Sequence, residues 1–190
     1  MISVIITGYK EPRTIGKAIE QVLKNNLKQE YEIIVLAPDD ETLDEARKYI
    51  AQNNNIRVIK DEGKGKPAAL NLVFKKAKGD ILVLTDADVH MSEKAIPYLL
   101  EMFKDKNVGA VTGRPISLNP RNEILGYWSH LLSDMAHIVR ERRIKKGKMV
   151  VCSGYLYAIR AGINKKIPEE ALSDDAVISH LIYEKGYKIK

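Results

Sequence analysis

The 190-residue chain predicts an α/β domain, a mostly parallel central sheet flanked by helices. Three observations carry that expectation. Short β-branched or aliphatic runs recur at residues 2–7, 32–36, 56–59, 81–84 and 108–112. Between most of them, apolar residues return every three or four positions, the spacing of one helix face. The first run is apolar almost without alternation, which marks a strand covered on both sides. Strands alternating with helices in this way build parallel sheets.

Ile2, Ser3, Val4, Ile5, Ile6 and Thr7 make the first strand, and Gly8, Tyr9, Lys10, Glu11 and Pro12 break it. Thr14 stands where a helix cap belongs, ahead of Ile15, Ala18, Ile19, Val22 and Leu23 on one face. The second strand, 32–36, meets the acidic turn Pro38, Asp39, Asp40 and Glu41, and the next helix carries Leu43, Ala46, Tyr49 and Ile50. After the third strand, 56–59, a Gly/Lys loop (Gly63, Lys64, Gly65, Lys66) leads to Pro67 at a helix start. The fourth strand, 81–84, ends in Thr85, Asp86, Ala87 and Asp88, and a helix over 92–103 precedes the strand at 108–112. Beyond Gly113 the rhythm changes to one long helix, 123–144, then short strands at 149–152 and 156–160, a helix from Ser173 to Glu184, and a last strand near Tyr187. Nothing repeats and no linker divides the chain, so residues 1–190 are expected to form a single domain.

Composition narrows the function classes. The hydrophobic fraction of 45% with 29% charged residues is that of a globular protein with a real core. A net charge of +6, from 31 basic and 25 acidic residues, suits an anionic ligand or an anionic membrane surface. Aromatic residues are only 6% and do not interleave with basic ones, so no nucleic-acid partner is expected. Cys152 is the single cysteine, which excludes an intrachain disulfide and agrees with a reducing compartment. No run is apolar for long enough to span a bilayer, and the expectation is a cytoplasmic protein able to meet a membrane through its surface.

Asp86 and Asp88 hold the chemistry together. One residue apart at a strand end, they can project to the same side and seat a hard divalent cation. In an open parallel sheet the carboxyl ends of the strands are where ligands bind. The turns after the strands ending near Thr7, Leu36 and Ile59 should therefore meet this pair, bringing Tyr9 and Glu11, Asp39 and Asp40, and Lys64 and Lys66. An aromatic ring, carboxylates and ammonium groups suit a base, a ribose and a diphosphate respectively.

Five motifs occur in order: V-I-I-T-G-Y-K-E-P-R-T-I-G-K-A-I, E-I-I-V-L-A-P-D-D-E-T, G-K-P-A-A-L-N, G-D-I-L-V-L-T-D-A-D-V and G-A-V-T-G-R. Together they resemble family 2 glycosyltransferases, enzymes of the GT-A fold that include dolichyl-phosphate mannose synthases and cellulose- or hyaluronan-synthase-like proteins. The resemblance implies inverting, metal-dependent transfer of a sugar from a nucleotide-diphosphate donor to a hydroxyl or lipid-phosphate acceptor. A UDP-sugar is favoured and a GDP-sugar stays open, as does the choice between Mn and Mg. Donor-binding positions carried over by the resemblance are Tyr9, Glu11, Asp39 (with Asp40 as competitor), Lys66, Asp86 and Arg114. Asp86 and Asp88 match the metal-binding Asp-x-Asp motif, Asp88 as the more direct ligand, with His90 beside the metal. A solvated His90 and a surface Arg114 are the plain alternatives. Residues 1–113 would form the donor half and 114–190 the acceptor half.

Inversion needs a base to take the acceptor's proton. Leu172, Ser173, Asp174, Asp175 and Ala176 look like the family's T-E-D motif, which puts the catalytic base at Asp175 and Asp174 in the place of Glu. The same residues also suit a helix start, with Ser173 as cap and two carboxylates at the positive end. Ser153 and Gly154, with Asp174, match positions lining the acceptor site. Lys10 stands where many relatives carry Asn. The Q-x-x-R-W motif of processive polymer synthases is absent from these residues, so processive polymerisation is not expected. Sugar-nucleotidyltransferases share a nucleotide-binding sheet and a metal carboxylate, but their Gly-rich, Arg-containing first loop does not match residues 8–12. A non-catalytic nucleotide-sugar-binding partner protein is the remaining alternative.

The long helix joins a face of Ile124, Leu125, Trp128, Leu131, Leu132, Met135, Ile138 and Val139 to a basic end reaching Lys148. The expectation is that the apolar face packs on the sheet and the basic end is solvated. The alternative is peripheral membrane contact through 123–148, with cations on lipid phosphates.

Overall fold

The computed structural model describes residues 1–163 and 166–190. Its elements run β1 (Ile2–Thr7), α1 (Ile15–Lys24), β2 (Tyr31–Ala37), α2 (Asp40–Arg47), β3 (Ile56–Lys60), α3 (Lys66–Lys76), β4 (Ile81–Asp86), α4 (Ala95–Glu101), β5 (Val108–Thr112), α5 (Ile124–Lys145), β6 (Leu156–Arg160), α6 (Asp174–Glu184) and β7 (Lys188–Ile189). Two expected helices are shorter than their apolar spacing suggests, because single 3-10 turns finish them at Ile50–Gln52 and Met102–Lys104. Residues 149–152, expected as a strand, are not strand in the structure.

The strands form one seven-stranded sheet in the order β3-β2-β1-β4-β6-β5-β7. β1 pairs in parallel with β2 and with β4, and β2 with β3. Only β6 runs the other way, antiparallel to both β4 and β5. Successive side chains of an extended strand face opposite sides, so β1 feeds two cores. Val4 and Ile6 join Ile33, Val35 and Val83 under α1 and α4, whereas Ile5 joins Ile34, Leu36 and Leu84 under α3 and α6. Fully burying each such Ile or Leu contributes about 1.5–3 kcal/mol.

Register decides where the site lies. Thr7, at the end of β1, sits opposite Leu36 on β2 and Asp86 on β4, so the three strands finish level. The chain leaves β1 toward β2 and β3, then returns to the other side of β1 as β4. That reversal of direction opens a crevice at the carboxyl ends of β1 and β4. β6, being antiparallel, brings its beginning to the same edge.

The opposite edge is closed by a buried carboxylate. Glu32 accepts hydrogen bonds from Ser3 Oγ (2.7 Å), Lys78 N (2.7 Å) and Arg57 (2.6 Å). Burial works to raise its pKa, but these hydrogen bonds and the Arg57 charge outweigh it and hold the carboxyl below its ordinary range.

α5 departs from expectation. Its apolar face does not pack on the sheet: Leu125 is 82%, Trp128 54% and Leu132 67% exposed, and only Gly126 and His130 are buried. The physical reason is that the sheet is already covered by α3, α6 and residues 150–152 on that side, leaving Ile144 as the helix's contribution to the core. The opposite flank of α5 meets the 114–123 loop. There Ser129 bonds Ser117 (2.8 Å), His130 bonds the Asn119 carbonyl (2.9 Å), and Gly126 has no room for a Cβ beside the Pro120 carbonyl. No helix among the described residues is long and apolar enough to cross a membrane.

Candidate active site

The end of β1 is built for close approach. A Cβ on Gly8 would lie 3.1 Å from Ala87 Cβ and 3.3 Å from Thr42 Cγ2, so a larger residue would push the first loop off the turn after β4. That turn continues the pairing, with Ala87 N donating to Thr7 O (2.8 Å). Asp86 and Asp88 thus flank a buried Ala87 at the crevice. Asp86 Oδ1 accepts from Thr7 Oγ1 (2.7 Å) and from Lys66 Nζ (2.6 Å). Lys66 opens α3 after a loop in which Gly63 and Gly65 take φ values of +68° and +98°, conformations that favour glycine.

Asp39 organises the second wall. It caps α2, its Oδ1 accepting from Thr42 N (2.9 Å) and Thr42 Oγ1 (2.7 Å), while Oδ2 accepts from Lys10 N (2.9 Å). Burial works against its charge, but these hydrogen bonds hold its pKa below the usual carboxylate range. Thr42 Oγ1 in turn accepts from Glu11 N (2.9 Å), and Glu11 Oε2 accepts from Thr14 Oγ1 (2.6 Å). Thr14 therefore sits at the N-cap of α1 without making the expected cap bond; its hydroxyl fastens Glu11 instead. Lys10 has φ +56°, a left-handed conformation, and its ammonium lies 5.3 Å from the Tyr9 ring centroid. The result is an open cleft of about 500 Å³, which Thr7, Tyr9, Glu11, Lys66, Asp86 and Asp88 all line.

A second group of site candidates comes from late in the chain, outside the lining of that cleft. Ser153 N donates to Thr112 Oγ1 (2.7 Å), and Thr85 Oγ1 donates to Tyr155 O (2.9 Å), which fixes the approach to β6 against β4 and β5. A Cβ on Gly154 would stand 3.1 Å from Asp175 Oδ2, so this glycine leaves room for the carboxylate. Asp175 Oδ1 accepts from Ser173 Oγ and from Ala176 N (2.8 Å). Ser173 occupies the N-cap position of α6 but spends its hydroxyl on Asp175 rather than on a helix N–H. Asp174 turns inward, its Oδ2 3.4 Å from the hydroxyl of the buried Tyr157. Burial raises the Asp174 pKa, the neighbouring Asp175 and Asp86 charges add to that, and Lys66 opposes them.

The sequence model of the family described as "Glycosyl transferase family 2" matches residues 3–167. The chain belongs to glycosyltransferase family 2. Among its sequence relatives, the poly-beta-1,6-N-acetyl-D-glucosamine synthase of Staphylococcus aureus strain COL is 28% identical over 197 residues, covering 100% of this chain and 47% of that protein. The probable glycosyltransferase YdaM of Bacillus subtilis strain 168 is 28% identical over 203 residues, covering 100% and 48%. The chain thus spans about half the length of the curated relatives it matches. The absence of a polymer-synthase motif from these 190 residues therefore carries no argument about polymer formation.

Solved structures agree on the fold. The mannosyltransferase PcManGT from Pyrobaculum calidifontis, in complex with GDP-Man and Mn2+, superposes with a TM-score of 0.81 at 22% identity, over 99% of this chain and 53% of that one. Residues 1–349 of TarS from S. aureus, in complex with UDP-GlcNAc, give 0.69 at 19% identity, over 99% and 54%. The glycosyltransferase thus has the GT-A fold, a single α/β domain with a mostly parallel sheet.

Of the residues singled out from sequence, this family 2 domain gathers Tyr9, Glu11, Lys66, Asp86 and Asp88 around one cleft. Pro38 lines that cleft, whereas Asp39 stands behind it as a cap and Asp40 pairs with Lys60 (2.6 Å). Ser153, Gly154, Asp174 and Asp175 are not part of that lining, and two further side chains lie elsewhere. His90 Nδ1 is 3.4 Å from Gln21 Nε2 on α1, and Arg114 pairs with Asp134 on α5 at 3.0 Å. Among the described residues no three His, Cys, Asp or Glu side chains converge as a cation's ligand set, and the His90 ring lies beside Gln21. The two carboxylates still fit a hard divalent cation that draws its other oxygens from a ligand or water. Sequence reasoning missed Thr7, Thr42 and Tyr157, whose hydroxyls fix Asp86, Glu11 and Asp174. Arg140, read from the sequence only as part of a solvated basic end, donates through Nε to Val151 O (3.2 Å), and its buried Nη1 has no hydrogen-bond partner among the described residues. An ordinary strand or helix residue leaves no mark in sequence for such a role.

Proposed function

We propose that this glycosyltransferase moves a sugar, with inversion, from a nucleotide-diphosphate donor to a hydroxyl or lipid-phosphate acceptor, with help from a divalent cation. The observation that supports this best is the meeting of two groups from distant parts of the chain. Asp86 ends β4 and Asp88 lies in the turn beyond it, Asp174 and Asp175 start α6, and Tyr157, paired with Leu84 of β4, reaches Asp174 Oδ2 at 3.4 Å.

Tyr9 and Glu11 offer a ring and a carboxylate to the base and ribose, behind which Asp39 holds the loop, and Lys66 offers an ammonium to the diphosphate. Asp86 and Asp88 would hold Mn or Mg, which supplies positive charge to the departing diphosphate. Asp175 accepts the acceptor's proton as its oxygen bonds to the anomeric carbon and the carbon–oxygen bond to the diphosphate breaks. Ser153, Gly154 and Asp174 line the acceptor side, and Arg114 reaches the sugar by leaving Asp134. In this division residues 1–113 hold the donor and 114–190 the acceptor.

A UDP-sugar is the favoured donor, in keeping with the UDP-GlcNAc bound by TarS, although PcManGT binds GDP-Man. A thermal-shift panel of UDP- and GDP-sugars with and without Mn2+ tests the whole scheme. The expected result is stabilisation by one nucleotide class that requires metal; no metal-dependent shift with any donor overturns it.

The exposed face of α5 supports peripheral contact with a membrane, on its cytoplasmic side, through 123–148. Trp128 and its leucines would enter the interface and Arg142, Arg143, Lys145 and Lys146 would meet anionic headgroups. The domain should co-sediment with anionic vesicles at low salt and lose binding when Leu132→Glu is introduced. Failure of the unaltered domain to bind at low salt rules this contact out.

A further inference from the structure

We propose that Lys66 is a built-in counter-ion for Asp86, competing with the divalent cation for this carboxylate and released when metal and a nucleoside diphosphate bind together. The inference rests on the assignment of Asp86 and Asp88 as cation ligands. It adds a switch of partners at the mouth of the donor cleft.

The geometry starts from one oxygen. Asp86 Oδ1 already receives two donors, Thr7 Oγ1 at 2.7 Å and Lys66 Nζ at 2.6 Å. Both ionic partners are about one-third exposed, 34% for Lys66 and 31% for Asp86, so their attraction is only partly screened by water. Asp88 differs: its carboxylate engages no donor among the described residues.

A divalent cation binding Asp86 would sit within a few ångströms of that ammonium. Two cations on one carboxylate repel each other, which favours the departure of the one held less tightly. The lysine can leave, because its stem is long and flexible and its charge is a mobile point. Its position favours a short move. Lys66 is the first residue of α3, behind Gly63 and Gly65, and lines the same cleft as Tyr9 and Glu11. A diphosphate between the cleft and the metal gives the freed ammonium a new anionic partner.

Two consequences follow from linkage. Metal alone binds weakly, because it must first break the Lys66–Asp86 pair. Metal and nucleoside diphosphate strengthen each other reciprocally, because the diphosphate re-partners the lysine.

The test is Mn2+ binding followed by the EPR signal of free Mn2+, for the unaltered domain, Lys66→Met and Lys66→Gln, each alone and with UDP or GDP. Without nucleotide, both variants should bind Mn2+ roughly fivefold more tightly than the unaltered domain, the size expected for loss of a partly exposed ion pair. With UDP or GDP, the gain in Mn2+ affinity should be smaller in the variants than in the unaltered domain. Two separate variants guard against misfolding of one, and circular dichroism checks both. If both folded variants bind Mn2+ equally or more weakly without nucleotide, while the unaltered domain binds it with UDP or GDP, the counter-ion role is overturned and the metal site stands. If no form binds Mn2+ even with either nucleotide, the metal-dependent function and this inference fall together.

Discussion

Asp175→Asn should lower transfer by about 10²–10⁴-fold, the usual contribution of a positioned general base, while nucleotide and metal binding persist. The substitution is close to isosteric. Asparagine keeps an oxygen where Asp175 Oδ1 accepts from Ser173 and Ala176, so the start of α6 should hold its shape. What disappears is the basic oxygen facing Gly154. Single-turnover transfer and nucleotide binding, measured on the same preparation, separate chemistry from binding. Near-normal turnover in the asparagine variant would sink the assignment. Asp174→Asn serves as the comparison, because this carboxyl already has a raised pKa and a tyrosine neighbour.

The second large effect is expected at Asp88. Asp88→Ala should abolish the metal-dependent part of nucleotide binding yet leave the fold near its original stability. The carboxylate is exposed and makes no hydrogen bond or ion pair among the described residues, so its loss removes no structural contact. Exposed substitutions of this kind usually change stability by about ±0.5 kcal/mol or less. Asp86→Ala is a poorer probe, since it also frees Thr7 and Lys66. Thermal shifts with a nucleotide sugar, with and without Mn2+, give the measurement. A full metal-dependent shift in Asp88→Ala excludes this residue as a ligand.

Much of the cleft was legible because strands and their ends are written in hydrophobic runs. Ile2 to Ile6 announced a strand buried on both faces, and the breaks after Thr7, Leu36 and Ile59 fell where loops could meet. Sheet-edge logic then brought Tyr9, Lys66 and Asp86 together without any contact being known. Directions of side chains beyond a strand were not legible. His90 follows Asp88 by two residues yet faces Gln21, and Arg114 leaves its strand only to find Asp134 twenty residues on. Nor does an apolar helical face name its partner. The period of α5 correctly marked one side as apolar, but the surface it was expected to cover was taken by α3 and α6. The reversed direction of β6 was hidden too, since a run such as Leu156 to Arg160 carries no arrow.

That reversed strand has a bearing on how the chain comes off the ribosome. β4 ends at Asp86 and β5 at Thr112, but the strand that joins them begins only at Leu156. Until β6 emerges, a nascent chain holding β3, β2, β1 and β4 offers an open strand edge to any neighbour, and β5 has nothing to pair with. Gly154 stands just ahead of the strand that joins β4 to β5, so closing this gap in the sheet and setting Gly154 beside the end of β4 become one folding event.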